Sequence, residues 1–486
     1  MGATPWRFKS SHPHAEDWVS GRPSTRRTEA DISDLRRIAI WGHYHGRNLG
    51  DEMVVSTLVS AIRARSPEAE ILGISMTPWD TESRHGVAAY PINPGAPMTR
   101  PRGGTVESDP APSRLRQAIA RIPGARHLRR VLTAVRLVAR EASFAWRSFR
   151  VLRGLDAVVV AGSGQLLDVW HPWRHPYTTF RWALLSRLAR VRFVFASVGA
   201  GPIRSRLGAF FFRHAVRSGS YVSVRDDYSV ESLRSIGLSG PFTRCPDMGY
   251  AYPGLEAARR GGAARDVDTA PVVGFQVIPF MHPTLWPGGD ARVYGPYFES
   301  MVAFARSLLD EGCTLRVFSS QVASDNVVSQ DLVDALGEPA PGRLECPGAD
   351  LQSVDDLVQT MSGCDAILAA RFHSALISIA LGVPVLGLAY DRKTTELFAD
   401  HGLSDRCVDI ESASVEELRR LFARVQEEAV PAAVEARVDA YRLDVKAQFD
   451  RLFGSTSLVL GAVKLLGLLL GAVAGPVAEP ALLVEL

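Results

Sequence analysis

The chain has 486 residues, of which 46% are hydrophobic and 22% charged, and its formal net charge is +3. This length allows two or three domains, and the composition is that of an ordinary globular protein. The small net charge gives no reason to expect a polyanionic partner, so we predict no binding to nucleic acid.

Cysteine usage and the N-terminal segment bear on the cellular compartment. The five cysteines are scattered along the chain without the paired spacing of metal ligands. Residues 1–34, which we predict to be disordered, contain no apolar core of a secretory signal. An odd number of cysteines without such a signal fits a reducing environment, so we expect a cytoplasmic location.

The first regular elements follow a βαβ pattern. Arg36 to Trp41 reads as a short strand, and the glycine-rich loop Gly42 to Glu52 follows it. Met53 to Ser66 has helical apolar periodicity, and Glu70 to Ser75 reads as the next strand.

A basic insertion, residues 93–150, interrupts this pattern. Pro and Gly dominate from Pro91 to Gly124, whereas Leu128 to Leu152 has the periodicity of a cationic amphipathic helix. From Arg100 to Arg153 there are thirteen arginines against three acidic residues, a local excess of +10. A solvated arm and a surface for an anionic partner would both account for this excess.

The α/β pattern then resumes and is repeated in the second half of the chain. A linker rich in Gly, Ala and Arg, residues 255–270, separates a first domain, 35–254, from a second domain, 271–454. Alternating strands and helices imply parallel sheets with right-handed crossovers, so we predict an α/β fold of two domains facing a cleft. The later predicted strands are Asp156–Gly162, Arg192–Gly199, Ser220–Asp226, Pro271–Ile278, Cys313–Ser320, Asp365–Ala370 and Val383–Tyr390, and the closing helices are Val415–Glu427 and Ala433–Phe453.

The last 32 residues, 455–486, form an almost entirely apolar tail. Ser457 to Ala474 approaches the length of a membrane span, which is about 20 residues. Gly467, Gly471 and Gly475 are spaced four apart, which permits close helix contact. Membrane contact and packing against protein both remain open for this tail.

The loop after the first strand places Asp51 and Glu52 at the start of a helix. Asp51 could cap that helix by accepting hydrogen bonds from free backbone amides. If it faces the cleft instead, its carboxylate could accept a proton from a sugar hydroxyl. We also predict that Asn48, in the same loop, contacts the substrate.

A second loop, AGSGQLLD, follows the buried strand that ends at Gly162. Gly162, Ser163 and Gly164 can offer backbone amides to an anion, although a tight turn alone would have the same composition. His171 and His175 have metal-ligand spacing, but two prolines argue against a regular helix there and no third ligand is evident. We therefore predict no metal site.

Four basic side chains lie at strand ends that belong to different parts of the chain. Arg225 lies at the end of the predicted strand Ser220–Asp226 and could pair with Asp226 or bind a phosphate or carboxylate. Arg371 and His373 follow the strand DAILAA, and Lys393 follows VPVLGLAY. Ligands of open α/β sheets bind at the carboxyl ends of the strands, so this set indicates an anionic substrate. His373 could supply a proton near neutral pH.

Together these loops resemble the motifs of the polysaccharide pyruvyl transferase family. The likeness covers about Ile38 to Phe453 apart from the insertion, and the order and spacing of the motifs make it specific. It implies two Rossmann-like domains similar to the GT-B glycosyltransferases. It also implies transfer of a pyruvyl group from phosphoenolpyruvate to a saccharide, forming a ketal and releasing phosphate. The motifs are GHYHGRNLGDE, AGSGQLLD, SVGAGP, SVRDDYS, ARFHS and GVPVLGLAYDRK.

The resemblance assigns roles to these positions. His373 becomes the general acid and Asp51 the base, while Arg225, Arg371 and Lys393 hold phosphoenolpyruvate. We expect neither a metal nor a cofactor. Family members often have a third glycine where this chain has Ser163, and because serine is also small we expect the loop to survive.

The insertion and the tail lie outside the shared pattern. We predict that residues 100–153 and 457–474 bring the protein to the inner face of the membrane, where a lipid-linked saccharide could be the acceptor. Two other functions fit the same fold. A nucleotide-sugar glycosyltransferase would bind a nucleoside diphosphate, and a non-catalytic saccharide-binding scaffold would be indifferent to His373→Ala.

Overall fold

The computed structural model confirms the prediction of two parallel-sheet α/β domains. It describes residues 35–44, 48–96, 125–169, 171–240, 242–261, 270–337, 341–349 and 351–454. The N-terminal segment 1–34, the first part of the basic insertion and the apolar tail 455–486 therefore lie outside the described residues.

The first domain is built on a parallel sheet with helices on both faces. Its strands are β1 (Arg37–Trp41), β2 (Glu70–Ser75), β3 (Ala88–Pro91), β4 (Ala157–Ala161), β5 (Arg192–Val198), β6 (Tyr221–Val224) and β7 (Thr243–Arg244). Its helices are α1 (Leu49–Arg65), α2 (Pro78–His85), α3 (Ala125–Leu152), α4 (His175–Ala189), α5 (Arg206–Arg217), α6 (Asp227–Ser235) and α7 (Pro253–Gly261). Among the described residues the strand order is β3-β2-β1-β4-β5-β6-β7.

The second domain repeats this plan. Its strands are β8 (Val272–Phe275), β9 (Thr314–Val317), β10 (Leu344–Glu345), β11 (Ala366–Ala369), β12 (Val385–Ala389) and β13 (Cys407–Asp409). Its helices are α8 (Ala291–Asp310), α9 (Val322–Leu336), α10 (Val354–Ser362), α11 (Phe372–Leu381), α12 (Arg392–Asp400), α13 (Val415–Glu427) and α14 (Ala432–Phe453). The described strands are ordered β10-β9-β8-β11-β12-β13.

Strand order determines where each sheet can bind a ligand. In the first sheet β1 lies between β2 and β4, and in the second β8 lies between β9 and β11. Successive connections leave these central strands in opposite directions, so a crevice opens at their carboxyl ends. The loops after β1, β4, β8 and β11 are therefore the ones placed to form a site.

Burial explains why these apolar runs form central strands. Ile38, Ala39, Ile40 and Trp41 of β1 are at most 1% exposed, so both faces of the strand are covered. Separate apolar clusters lie on the two sides of this sheet. A strand buried on both faces reads as a continuous apolar run rather than as an alternating one.

The predicted cationic helix of the insertion is confirmed as α3, and its end belongs to the first domain's core. Phe144, Val151 and Leu152 are buried in the apolar cluster that covers one face of the first sheet. Leu132, Val135 and Val138 on the same helix remain exposed. The insertion thus combines a packed end with a section whose apolar side chains face solvent.

Helix α14 connects the two domains, although the sequence placed it wholly in the second. Its first turns pack with the second domain through Val434 and Val438, while Val445 and Phe449 join the core of the first domain. Gln448 Nε2 donates to Ser197 Oγ at 2.9 Å. One apolar stripe can serve two domains when a helix is long enough. The start of the predicted linker is also helical, since it falls within α7.

Candidate functional site

A cleft of about 350 Å³ lies where the carboxyl ends of the two sheets meet. Loops of both domains line it, and backbone contacts join the domains beside it: Leu49 N donates to Ser320 O at 2.8 Å. The cleft brings together all but one of the predicted site residues: Asn48, Asp51, Ser163, Gly164, Arg225, Arg371, His373 and Lys393.

Gly162 does not line the cleft but lies behind the loop. A Cβ atom at this position would approach Ser197 O and Val54 Cγ1 to 3.2 Å. The small residue is needed because the loop packs closely on the neighbouring strand and on α1. The structure thus gives Gly162 a packing role, and its contact with a substrate stays a prediction.

Asp51 faces the cleft and does not cap its own helix. Asn48 is the N-cap residue of α1, with its Oδ1 accepting from Asp51 N at 3.4 Å. Asn48 Nδ2 donates to Asp51 Oδ2 at 2.8 Å, and the Ser163 hydroxyl donates to Asp51 Oδ1. The capping interpretation of Asp51 is wrong because the helix begins earlier than the sequence indicated.

Ser163 reaches Asp51 from a left-handed backbone conformation, with φ of 59°. Glycine adopts this region without cost, whereas a residue with a Cβ is disfavoured there. In this chain the loop accommodates a serine in that conformation. The hydroxyl also gives Asp51 a hydrogen bond that glycine could not supply.

His373 lies at the contact between the two domains. It lies in the first turn of α11, and a Cβ added to Gly50 of α1 would lie 2.2 Å from its Nδ1. Only glycine allows α1 to approach the imidazole this closely. His373 Nε2 is buried without a hydrogen-bond partner among the described residues, and it lies 3.9 Å from Asp247 Oδ2.

Burial is the main cause that lowers the pKa of His373. The charges of Arg225 and Lys393 lower it further, while Asp247 and Asp51 oppose them. Without a ligand the imidazole therefore favours its neutral form. An anion in the cleft would act in the opposite direction and favour the protonated form.

Arg371 and Lys393, two cations of the cleft wall, are each held by a carboxylate. Arg371 donates through Nε to Asp325 Oδ2 at 3.2 Å and through Nη2 to Asp325 Oδ1, and the Asp325 side chain is fully buried. Lys393 Nζ lies 3.1 Å from Asp391 Oδ2. These partners fix the positions of the cations while leaving them on the cleft wall.

Arg225 combines the two roles that the sequence left open. Its Nε donates to Asp226 Oδ2 at 3.0 Å and its Nη1 to Asp247 Oδ2 at 3.1 Å, so it forms a structural pair. It also lines the cleft, with its guanidinium 4.1 Å from the Phe372 ring centroid. Asp226 caps α6 at the same time by accepting from Ser229 N.

Sequence reasoning missed several residues that shape the site. Gln276, directly after β8, accepts from Ala370 N and Arg371 N, each at 3.0 Å, and so fixes the loop that carries Arg371 and His373. His43 lines the cleft two residues after β1 and stacks on His175. The position of His43 after a central strand could have indicated a site residue. The sequence offers no comparable signal for Gln276.

Within the part of the chain that the structure describes, no group of three His, Cys, Asp or Glu side chains is arranged to hold a metal ion. His175 instead lies face to face with His43, with ring centroids 3.7 Å apart. His171 is exposed and does not line the cleft.

Comparison with known proteins gives a family match and a set of similar folds. The family model described as polysaccharide pyruvyl transferase matches residues 48–392, a range that includes every predicted site residue except Lys393. E. coli ADP-heptose lps heptosyltransferase II is similar at 14% identity, covering 81% of this chain and 98% of that one, with a TM-score of 0.40. UDP-GlcNAc 2-epimerase from Methanocaldococcus jannaschii is 10% identical, with 83% and 99% covered and a TM-score of 0.48. The Neisseria meningitidis enzyme of the same name is 12% identical, with 88% and 99% covered and a TM-score of 0.45.

Proposed function

The chain belongs to the polysaccharide pyruvyl transferase family, and from this premise we propose that it transfers the pyruvyl group of phosphoenolpyruvate to a saccharide. The product is a pyruvate ketal, and phosphate is released. The observation that carries the proposal is the cleft itself, which Arg225, Arg371 and Lys393 line together with the buried imidazole of His373 and the carboxylate of Asp51.

The cations suit the donor because phosphoenolpyruvate carries both a carboxylate and a phosphate. Arg371 and Arg225 present planar guanidinium groups that bind such oxyanions through paired hydrogen bonds. Lys393 adds a compact charge in a chain that has only four lysines. Since each cation is already oriented by a carboxylate, little reorganisation is needed when the donor binds.

His373 and Asp51 divide the proton transfers of the first step. The oxygen of a sugar hydroxyl bonds to C2 of the enol, and the π electrons of the double bond take a proton from His373 at C3. Asp51 accepts the proton of the attacking hydroxyl. The negative donor stabilises protonated His373, which burial alone disfavours. Departure of phosphate with its bonding electrons then allows a second hydroxyl to close the ketal.

The deciding experiment incubates the protein with phosphoenolpyruvate and a panel of saccharides that carry two neighbouring free hydroxyls. With at least one acceptor, we expect release of phosphate and a product whose mass exceeds that of the acceptor by one pyruvate ketal group. Binding of a nucleoside diphosphate in place of phosphoenolpyruvate would indicate the glycosyltransferase alternative. Failure to bind either donor, with no phosphate from any acceptor, would indicate a saccharide-binding scaffold.

A lipid-linked saccharide at the inner face of the membrane is the acceptor that we propose. Exposed apolar side chains on α3 include Leu132 (47%), Val135 (58%), Val138 (69%) and Trp146 (62%), and exposed arginines accompany them. Such a helix can lie in the interface of an anionic bilayer. Residues 457–474, outside the described residues, are the second proposed anchor. Across the described ranges, no helix combines the length and apolar character that a membrane span requires.

Vesicle binding tests this contact. The variant reverses four exposed arginines of α3: Arg136→Glu, Arg140→Glu, Arg147→Glu and Arg150→Glu. Each arginine near an anionic surface contributes about 1 kcal/mol, so co-sedimentation with phosphatidylserine vesicles should fall by roughly two orders of magnitude or more. A control reverses four exposed arginines of the second domain: Arg306, Arg419, Arg420 and Arg424. Equal losses of vesicle binding in the two variants, or no loss in either, would contradict the proposal that α3 is a membrane anchor.

A further inference from the structure

The cleft contains a second hydrogen-bond acceptor that the mechanism above does not use, the imidazole of His43. This residue lines the cleft on the first-domain wall and is 7% exposed. Its backbone N–H donates to Gln165 Oε1 at 2.9 Å, and its Nδ1 lies 3.3 Å from the same oxygen. One amide oxygen therefore faces two nitrogens of a single residue.

This geometry determines which nitrogen of His43 carries the proton. The backbone N–H can only donate, so the Gln165 atom that it faces is the amide oxygen. An amide oxygen can only accept, and Nδ1 must therefore be protonated to bond with it. The remaining nitrogen, Nε2, then presents a lone pair. It is buried and has no hydrogen-bond partner among the described residues.

Neighbouring rings hold His43 in place and keep it neutral. The imidazole stacks on His175 with ring centroids 3.7 Å apart and an interplanar angle of 16°, and its edge meets Trp41 at 4.9 Å. Burial, followed by the charge of His175, lowers the pKa of His43 well below its usual value. A buried, oriented and neutral nitrogen without a partner is suited to accept a hydrogen bond from a ligand.

One short loop positions both acceptor groups of this wall. After β4, the Ser163 hydroxyl donates to Asp51 Oδ1, and two residues later Gln165 holds His43. A ketal contains two new bonds from carbon to oxygen, so two hydroxyls of the acceptor each lose a proton. Asp51 serves the first hydroxyl, and nothing in the mechanism above serves the second.

We propose that His43 Nε2 binds the second hydroxyl of the acceptor and accepts its proton when the ketal closes, an inference that rests on the proposed function. The bond from C2 to the phosphate oxygen breaks, and its electron pair leaves with phosphate. The second hydroxyl oxygen bonds to C2 as its proton moves to Nε2, and His43 returns that proton to the departing phosphate or to solvent. Gln165 and Ser163 are positioning residues in this scheme.

The test measures how tightly ketal formation is coupled to phosphate release. The wild-type protein should form one ketal for each phosphate. His43→Phe keeps a ring to stack on His175 but has no nitrogen, so water should capture C2 more often and yield free pyruvate. We expect the ratio of ketal to phosphate to fall about tenfold or more, while the affinity for phosphoenolpyruvate stays within about twofold, since general-base effects are typically 10²–10⁴-fold.

A second variant and a control keep the proposal falsifiable. His43→Gln offers an amide oxygen without a basic nitrogen, so acceptor binding should survive while the ratio of ketal to phosphate falls. This variant replaces His43→Phe if His43→Phe does not fold. His214→Gln changes an exposed imidazole on α5, outside the residues that line the cleft, and should leave the ratio at one. A ratio that stays at one in both His43 variants overturns the proposal, whatever their rates. If the wild-type protein releases no phosphate with any saccharide, the proposed function fails first and this role falls with it.

Discussion

The two walls of the cleft differ in what their side chains offer to a ligand. The wall around the start of α1 presents acceptors, the Asp51 carboxylate and His43 Nε2, which neighbouring side chains hold in place. The wall around β11 and β12 presents donors, Arg371 and Lys393, each tied to a carboxylate behind it. Opposite kinds of group thus face one another across one cavity.

This contrast agrees with the two unlike substrates that we propose for the site. Cations suit a donor with a carboxylate and a phosphate, whereas acceptors of hydrogen bonds suit sugar hydroxyls. Arg225 shows that the division follows chemistry and not domain, because it belongs to the first domain yet contacts Phe372 of the second. His373 lies where the walls meet, against Gly50 of α1. Variants on each wall should therefore affect different substrates.

Replacing His373 should have the largest effect, because we propose that this residue donates the proton in the bond-forming step. His373→Gln removes the proposed proton donor and should lower kcat by about 10²–10⁴-fold. Phosphoenolpyruvate affinity should fall by a much smaller factor, because only the interaction with the protonated imidazole is lost. Single-turnover phosphate release measures the rate, and calorimetry measures the affinity. Asp51→Asn is the matched variant and should also lower kcat without weakening the donor. If His373→Gln mainly raises the dissociation constant, the imidazole belongs to the cation wall.

Asp325 tests whether the cation wall depends on its buried carboxylates. Asp325→Asn leaves the Arg371 guanidinium without a charge partner, and breaking such a pair costs about 3–5 kcal/mol of unfolding free energy. Phosphoenolpyruvate affinity should fall as well, while the KM of the acceptor changes little. Urea unfolding measures the stability loss.

The control for Asp325 is an exposed pair in the same domain. Asp290 bonds Arg292 at the surface, and Asp290→Asn keeps a residue that caps α8 well. No measurable loss of stability is expected there, because solvent screens exposed pairs. Equal effects of the two variants would show that burial of Asp325 does not matter to the cation wall.

Proton uptake on donor binding is the next effect in size. In the free protein, burial is the main cause that lowers the pKa of His373, and the charges of Arg225 and Lys393 also lower it. The carboxylates of Asp247 and Asp51 raise it in part. A bound anion raises that pKa. At pH values between the pKa of His373 in the free protein and its pKa in the complex, the complex therefore holds more protons than the free protein. Affinity for phosphoenolpyruvate should therefore increase as pH falls through this window, by at most about tenfold per pH unit.

Calorimetry in buffers of different ionisation enthalpy measures this uptake directly. Wild-type protein and His43→Phe should both take up protons, because His43 lies on the other wall. His373→Gln should take up markedly fewer. Equal uptake by wild type and His373→Gln would assign the proton to another group of the cleft.

The strand ends could be predicted from the sequence, because parallel strands deliver the residues that follow them to one edge. Arg371, His373 and Lys393 line the cleft as that rule predicts, since each lies within three residues of the end of a continuous apolar run. The sequence could not show that Asn48, and not Asp51, caps α1. Both residue types cap helices well, and the choice depends on where the first turn begins.

Partners brought together by tertiary packing could not be predicted. Asp325 meets Arg371 from α9, and His175 meets His43 from α4, across long stretches of chain. The same limit applies to α14, since an apolar stripe does not specify which domain will cover it. Gln448, bonded to Ser197 of the first domain, reads in sequence as an ordinary surface residue of a helix.

Ser163 provides the smallest and most local test of the acceptor wall. Its hydroxyl orients Asp51, but its left-handed backbone disfavours any residue with a Cβ. Ser163→Gly loses the hydrogen bond and relieves the backbone, so unfolding free energy should change little. Ser163→Ala loses the bond and keeps the strain, and should be less stable than the glycine variant by about 1 kcal/mol.

Both Ser163 variants should lower kcat by about tenfold or less, because Asn48 still holds Asp51 Oδ2. The KM of the acceptor should rise while phosphoenolpyruvate affinity stays at the wild-type value, which steady-state kinetics and calorimetry can separate. Loss of donor affinity in Ser163→Gly would mean that this loop also helps to hold the anion. The two walls would then share the donor, and the contrast between them would not follow the chemistry of the two substrates.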